Sequence, residues 1–232
     1  MLFNHRNKLP LTETRTRNFG ILNEYDGVEL EYTSPLDDAR INYFVGSSTS
    51  DSTNPLKVNT SGIRNHAQAK IRAHREWNKL QYHRVNCEFT ATAESNLLAR
   101  NDRILVSDDT RINVQDGEIL LQNGLTLVTS QPVIFDATPH YIHLQMATGG
   151  VDYILCTAGN SEYEVVLSRA PSEPIITDDD MKVKTLYKVV KSTATKSDVF
   201  LVSTIDKSDD NSNVIKAINY SDRYYENDHD FI

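Results

Sequence analysis

The chain has 232 residues, and 24 Lys and Arg against 32 Asp and Glu leave a net charge of −8 at pH 7. Apolar residues make up 39%, the mean hydropathy is −0.47, and no apolar run approaches the roughly 20 residues of a membrane-spanning helix. The acidity argues against a general nucleic-acid binder, which needs clustered Lys and Arg to neutralise phosphates. The start, MLFNHRNKLP, is polar where a secretory leader would be apolar, so none is expected. Cys87 and Cys156 are too few for a disulfide framework or a four-thiolate zinc site. The composition is that of a soluble chain compatible with a reducing compartment.

In chain order, Val28–Tyr32 and Ile41–Val45 read as strands separated by the turn-forming run Ser34-Pro35-Leu36-Asp37-Asp38. Gly46 to Asn54 is Gly, Ser, Thr, Asp and Asn with little to bury, which predicts a loop. The period then changes. Asn65 is suited to cap a helix running to Gln81, with Ala69, Ala73, Trp77 and Leu80 on one face. From Val85 to Ala93 the alternation returns to two, which predicts a strand with Cys87 inward and a surface for the helix to pack on.

Beyond Asn96 the chain is a series of short apolar runs punctuated by Asn101-Asp102, Asp116-Gly117, Asn123-Gly124, Gly149-Gly150 and Gly159-Asn160. Such dipeptides mark tight turns, and Asn123-Gly124 is the clearest hairpin. Strands are expected at 104–107, 118–122, 125–128, 141–145, 151–156, 164–167, 183–190, 199–205 and 214–220. The fold class is therefore mainly β with one main helix (α+β). The expected division is 1–95, an α+β segment with its helix near 65–81, and 96–232, a small β-barrel with inserted hairpins near 125–178. Ile104-Leu105-Val106 would open that barrel, and strands around Tyr187-Lys188-Val189 and Ile215-Lys216-Ala217 would close it.

Side chains that carry chemistry are present without diagnostic spacing. Lys70, Arg72, Arg75 and Lys79 on the helix, with Arg64 and Arg84 flanking it, interleave only Trp77 and match no nucleic-acid motif. They read as a charged surface, solvated or facing another subunit. His140 and His143 fall on opposite faces of a strand, which does not suit one metal ion. Asp206, Asp209 and Asp210 with Asn211 and Asn213 lack the Gly and the bidentate Glu of a calcium loop. Asp178 to Asp180 reads as an acidic turn. There is no Gly-x-Ser-x-Gly elbow, no phosphate loop and no paired His-Glu zinc motif. Both cysteines sit in apolar surroundings, as core thiols do. The expectation is a protein that is not an enzyme, with no catalytic, cofactor-binding or metal-binding residue to assign.

Four stretches resemble the tail-tip attachment proteins of long-tailed phages, the J-like host-specificity family. They are Tyr32-Thr33-Ser34-Pro35-Leu36-Asp37; Ser61-Gly62-Ile63 through Gln68-Ala69 to Trp77-Asn78; Leu97 to Asp108; and Tyr187-Lys188-Val189-Val190 with Ile205 and Ile215 to Tyr220. In that family a tyrosine-rich strand runs into an Asp-Pro-like turn, and a Gly-initiated helix bearing Gln-Ala precedes a strand. A Gly-Asp-x-Val-x-Val-x-Asp element then opens a small barrel. Here Asn101 stands in place of the family's Gly and Ser34 in place of the Asp before Pro, and Asn keeps access to the left-handed backbone region.

The resemblance implies a structural hub in the virion tail, made in the bacterial host cytoplasm. It is typically a homotrimer around the tail axis, akin to the baseplate hub of contractile tails. Implied partners are further copies of the chain, other tail-tip or tail-tube proteins and, indirectly, a host surface receptor, with no nucleic acid and no membrane span. Family members are usually much longer, so the chain resembles a domain fragment or a short relative. In a ring, the helix face Lys70–Lys79 would meet a neighbour's acidic patch, either Asp178–Asp180 or Tyr224-Tyr225-Glu226-Asn227-Asp228. Two other classes stay open: a receptor- or carbohydrate-binding module of a tail fibre using Tyr141, Tyr153 and Tyr163 as an aromatic platform, and a tail-associated hydrolase.

Overall fold

The computed structural model describes residues 1–17, 25–47, 53–60, 62–108, 114–177, 183–191, 199–209 and 211–231. In chain order its elements are β1 (Leu2–Phe3), β2 (Thr14–Arg17), β3 (Gly27–Thr33), β4 (Arg40–Gly46), β5 (Pro55–Asn59), α1 (His66–Tyr82), β6 (Val85–Thr92), β7 (Arg103–Val106), β8 (Gln115–Asn123), β9 (Thr126–Thr129), β10 (His140–Gln145), β11 (Val151–Ala158), β12 (Glu164–Leu167), β13 (Leu186–Lys191), β14 (Val199–Asp209) and β15 (Ser212–Asn219). Short 3-10 turns occupy Ala93–Leu97 and Asp222–Tyr225. The chain is mainly β with one main helix, as its periodicities predict, and no described helix is long and apolar enough to cross a membrane.

Contacts divide the chain into two compact units: Met1–Arg15 with Asn86–Asn219, and Thr16–Val85 with Tyr220–Ile232. This differs from a single cut at residue 95. Strand pairing carries the first residues to the β7 and β6 edges of a sheet in the larger unit, and the last residues return to α1.

In the smaller unit β3 pairs antiparallel with β4 and parallel with β5. The β5 strand has no clear signal in the sequence, because five residues starting on Pro55 and following a polar run carry too little alternation to stand out. Residues 48–52 of the expected loop lie outside the described residues. Asn65 caps α1 as its position predicts, its side-chain oxygen accepting from the Ala67 N–H at 2.8 Å. The surface that receives the buried face of the helix is β3 and β4, where the sequence suggests the strand beginning at Val85. Ala69 and Ala73 are fully buried against Leu30, Tyr32 and Val45, with Tyr43, Val58, Ile63 and Trp77 closing around them. The two alanines permit close approach to β3 and β4, and Trp77 stays partly exposed at the margin.

The larger unit holds two β structures. One is an open six-stranded sheet in the order β1-β7-β14-β15-β6-β2. The other is a closed six-stranded barrel, β10-β11-β12-β9-β8-β13, whose core includes Ile119, Leu127, Ile142, Leu144, Ile154, Val165 and Tyr187. Four of the six barrel strands, β9 to β12, therefore come from the segment expected to be inserted hairpins. Ile104-Leu105-Val106 and Ile215-Lys216-Ala217 lie in the open sheet, and of the three expected framing strands only that of Tyr187 belongs to the barrel. The strands themselves are where periodicity puts them; pairing partners are not encoded in period. At the predicted hairpin Asn123 pairs with Thr126, so the two loop residues are Gly124 and Leu125, and Gly124 takes the left-handed φ of +61°.

Candidate functional site

The basic helix is covered by its own chain. Its partner is the segment after β15, where Asp222–Tyr225 forms one 3-10 turn and brings alternating acidic and aromatic residues onto α1. Arg75 donates twice to Asp228, Nε to Oδ1 at 2.9 Å and Nη2 to Oδ2 at 2.6 Å. Each holds the other in its charged form, so the Asp228 carboxyl lies below its ordinary pKa and the Arg75 guanidinium above. Asn78, buried on the same face, donates to Asn227 Oδ1 at 3.1 Å and to the Tyr224 carbonyl at 3.4 Å.

Rings complete the contact. The His83 imidazole stacks on Tyr224 at 4.9 Å, His74 lies 5.0 Å from Phe231, and Lys70 sits over both Phe231 and Tyr43. Burial pushes His83 down to about 4, with Lys79 adding to the effect, and burial also lowers His74. Arg72 and Lys79 share Glu76, and Arg64 pairs with Asp38. The helix charges expected to face a neighbouring subunit are thus engaged within this one. Of the two acidic patches expected opposite them, Tyr224–Asp228 docks in cis, and Asp178–Asp180 lies outside the described residues.

The remaining sequence-derived candidates stay apart. His140 shares a face of β10 with the barrel-core residues Ile142 and Leu144, and its Nδ1 lies 2.7 Å from the Thr138 carbonyl. His143 is on the other face, edge-on to Tyr153 at 4.5 Å. Cys87 and Cys156 are buried in different β structures, and burial pushes both thiols up to about 12, far from the thiolate a nucleophile needs. Asp206 and Asp209 are exposed at the end of the β14–β15 ladder; Asp210 is not among the described residues. Asn213 turns away from them to donate to Ser95 and Asn96. Among the described residues no group of three His, Cys, Asp or Glu side chains is placed to hold a metal ion.

The three tyrosines do not form one platform. Tyr141 and Tyr153 are near neighbours on the outer face of β10 and β11, since Tyr141 pairs with Leu155 and His143 with Tyr153. Ala158 pairs with Val165, which puts Tyr163 beyond the far end of β11. At strand rise that separates it from Tyr153 by roughly 17 Å or more.

Two polar constellations of the first residues have no signal in the sequence, because isolated charges in a short polar stretch read as loop. Lys8 donates to Glu13 and, at 2.5 Å, to the Ser107 carbonyl; Arg15 donates to Glu13 at 2.6 Å and faces Asp108 at 3.5 Å. Lys8 and Glu13 are 1% and 4% exposed, so this is an ion network inside the protein. Beside it, His5 Nδ1 meets Asp116 Oδ1 at 2.8 Å. Burial works against ionisation of Asp116, but His5 and Ser107 outweigh it and its pKa falls.

No protein-family model matches this chain, and no curated protein matches it either.

Proposed function

We propose that the chain is a structural, non-enzymatic component of a bacteriophage or prophage tail tip, a central hub of the J-like type that supports host attachment. The observation that carries this reading is Asn101. At the position where the resembling family has Gly, it holds a left-handed φ of +72°, its N–H bonded to the Val202 carbonyl at 2.8 Å and the Ala99 N–H bonded to Asp102 at 2.8 Å. A turn that requires positive φ, ahead of Ile104-Leu105-Val106, is what the family's Gly-Asp element supplies, and Asn is the non-glycine residue that tolerates it best.

The other resembling stretches fall on defined elements of the fold. Tyr32 to Asp37 ends β3 and enters the turn to β4, Gln68-Ala69 lies in the first turns of α1, and Tyr187 to Val190 and Ile215 to Asn219 form β13 and β15. In this reading the partners are further copies of the chain around the tail axis and adjoining tail-tip or tail-tube proteins, and no cofactor is used. The receptor- or carbohydrate-binding alternative finds less support, with Tyr163 remote from the other two tyrosines. Immunogold labelling of particles carrying this protein tests the proposal: label at the distal tail end is expected. Label on the head, on lateral fibres alone, or on no particle overturns it.

A further inference from the structure

The three-stranded sheet of the smaller unit has the order β4-β3-β5, so β4 and β5 are its outer strands. Which backbone groups of each turn outward follows from the bonds at the sheet's ends. Ser34 N donates to the Ala39 carbonyl at 2.8 Å and Ser47 N to the Asp26 carbonyl at 3.4 Å, one pair beyond either end of the β3–β4 ladder. Bonded pairs alternate in an antiparallel ladder, so Ile41, Tyr43 and Val45 bond to β3, while Arg40, Asn42, Phe44 and Gly46 turn their N–H and C=O groups away from it. Among the described residues no strand pairs with that outer side. On β5, Thr60 N donates to the Glu31 carbonyl at 3.0 Å, which leaves Pro55, Lys57 and Asn59 on the outer side.

The sequence treats the two edges differently. β5 is five residues long, its outer side begins with a proline that has no N–H to offer, and a lysine stands at its centre. Short length, Pro and Lys are devices by which edge strands avoid further pairing. β4 has seven residues, no Pro, no Lys and an unbroken register with β3. Arg40, Ile41 and Asn42 are exposed. The Phe44 ring leaves the edge clear, because it lies back over Gly27 and Gly46, where an added Cβ would come within 2.4 and 2.6 Å of it. A row of outward backbone groups on an unprotected strand is the template that strand addition uses.

We infer that the outer edge of β4 receives an extended segment of another protein, one in which apolar and acidic residues alternate. The two faces of the sheet set that alternation. On the α1 side Ile41, 40% exposed and paired with Tyr32, continues the apolar row of Tyr43 and Val45, so an apolar side chain of the added strand covers it. On the other side Arg40 and Asn42 call for carboxylates. β3, the strand already paired with β4, supplies Glu31 to Arg40 and Glu29 to Asn42, both at 2.9 Å, and the Arg40 side chain is still 78% exposed. A second copy of β4 would bring Arg40, Asn42 and Phe44 to that face and no acid, and β5 of a second copy is the protected edge.

The probe is a peptide with the sequence of β3, Gly-Val-Glu-Leu-Glu-Tyr-Thr, blocked at both ends, added to the full chain and read by amide exchange in NMR. In the chain alone the Asn42 and Phe44 amides should exchange about tenfold faster than those of Ile41 and Tyr43, and excess peptide should slow them to their neighbours' rate. The same peptide with Lys in place of both Glu should slow them roughly threefold less. Asn42→Pro removes one outward N–H and none that bonds to β3, so the peptide should no longer protect Phe44. Should that variant fail to fold, Arg40→Glu, at an exposed position, should reverse the preference between the two peptides. Unchanged exchange at Asn42 and Phe44 in excess peptide, or equal slowing by both peptides, overturns the acidic partner. Slowing that rises with the concentration of the chain alone assigns the edge to a second copy and overturns it as well.

Discussion

Arg75 of α1 and Asp228 of the C-terminal segment form a two-bond, fork-to-carboxylate pair within one subunit, at 2.9 and 2.6 Å. The geometry fixes both position and direction of the segment, because a planar guanidinium accepts a carboxylate in that arrangement along one edge. The Arg75 side chain is 38% exposed, so the pair is screened and contributes about 0.5–1 kcal/mol rather than the value of a buried one. Asp228→Asn should speed amide exchange from Ser221 to Phe231 while leaving β3 and β4 protected. Equal exchange in parent and variant would mean that the rings alone hold the segment.

Acid should loosen the same contact before it touches Asp228. His83 has a folded pKa near 4 against an ordinary 6.5, so the unfolded chain binds more protons between those values. Its contribution to stability is present in full above about pH 6.5 and is lost as the pH falls toward 4. Asp228, with a lowered pKa, loses its contribution only below the ordinary carboxylate range. Thermal melts at pH 7 and pH 4.5 should show a larger drop in Tm for the parent than for His83→Phe, which keeps a ring against Tyr224 and cannot titrate. Parallel curves would show that His83 protonates without penalty.

The seat of α1 on its sheet depends on small side chains. Ala73 is fully buried against β3 and β4, and Ala73→Leu should overpack the contact at a cost of about 1–3 kcal/mol. Trp77 is only partly buried, so Trp77→Ala should cost less than the roughly 3–5 kcal/mol of a fully buried ring. Urea denaturation decides both. A neutral Ala73→Leu would place open space where the structure has Leu30 and Val45.

What the sequence makes legible here is whatever depends on neighbours along the chain. Asn65 as a cap, the buried Ala69–Ala73 face, the inward Cys87 and, to within one residue, the hairpin turn at Gly124-Leu125 all follow from local geometry. Residues paired across long separations do not. Whether Ile104-Leu105-Val106 borders a barrel or an open sheet depends on Val199 pairing with Leu105, a relation with no trace in either strand's period. β1 is two residues long and β2 is Thr-Arg-Thr-Arg, so both edges of the open sheet are closed by segments with no apolar alternation. The docking of Asp228 on Arg75 was equally open to a contact between copies, because complementary charge states what can pair and not which copy supplies it.

The ion network of Lys8, Glu13 and Arg15 offers the sharpest energetic test, because its members are enclosed. Two charges taken from water are unfavourable singly and tolerable together, so removing one leaves the other with its desolvation uncompensated. Lys8→Met should cost about 3 kcal/mol, at the lower end for a buried pair, since Arg15 still bonds Glu13 at 2.6 Å. Glu13→Gln should cost at least as much, because it leaves Lys8 and Arg15 both cationic and within reach of the same site. The double variant Lys8→Met/Glu13→Gln should lose less than the two single losses added, with a coupling of about 1–3 kcal/mol. The cycle is measured by urea unfolding of the full chain at neutral pH. Losses that add within about 0.5 kcal/mol would show that the two groups do not interact in solution.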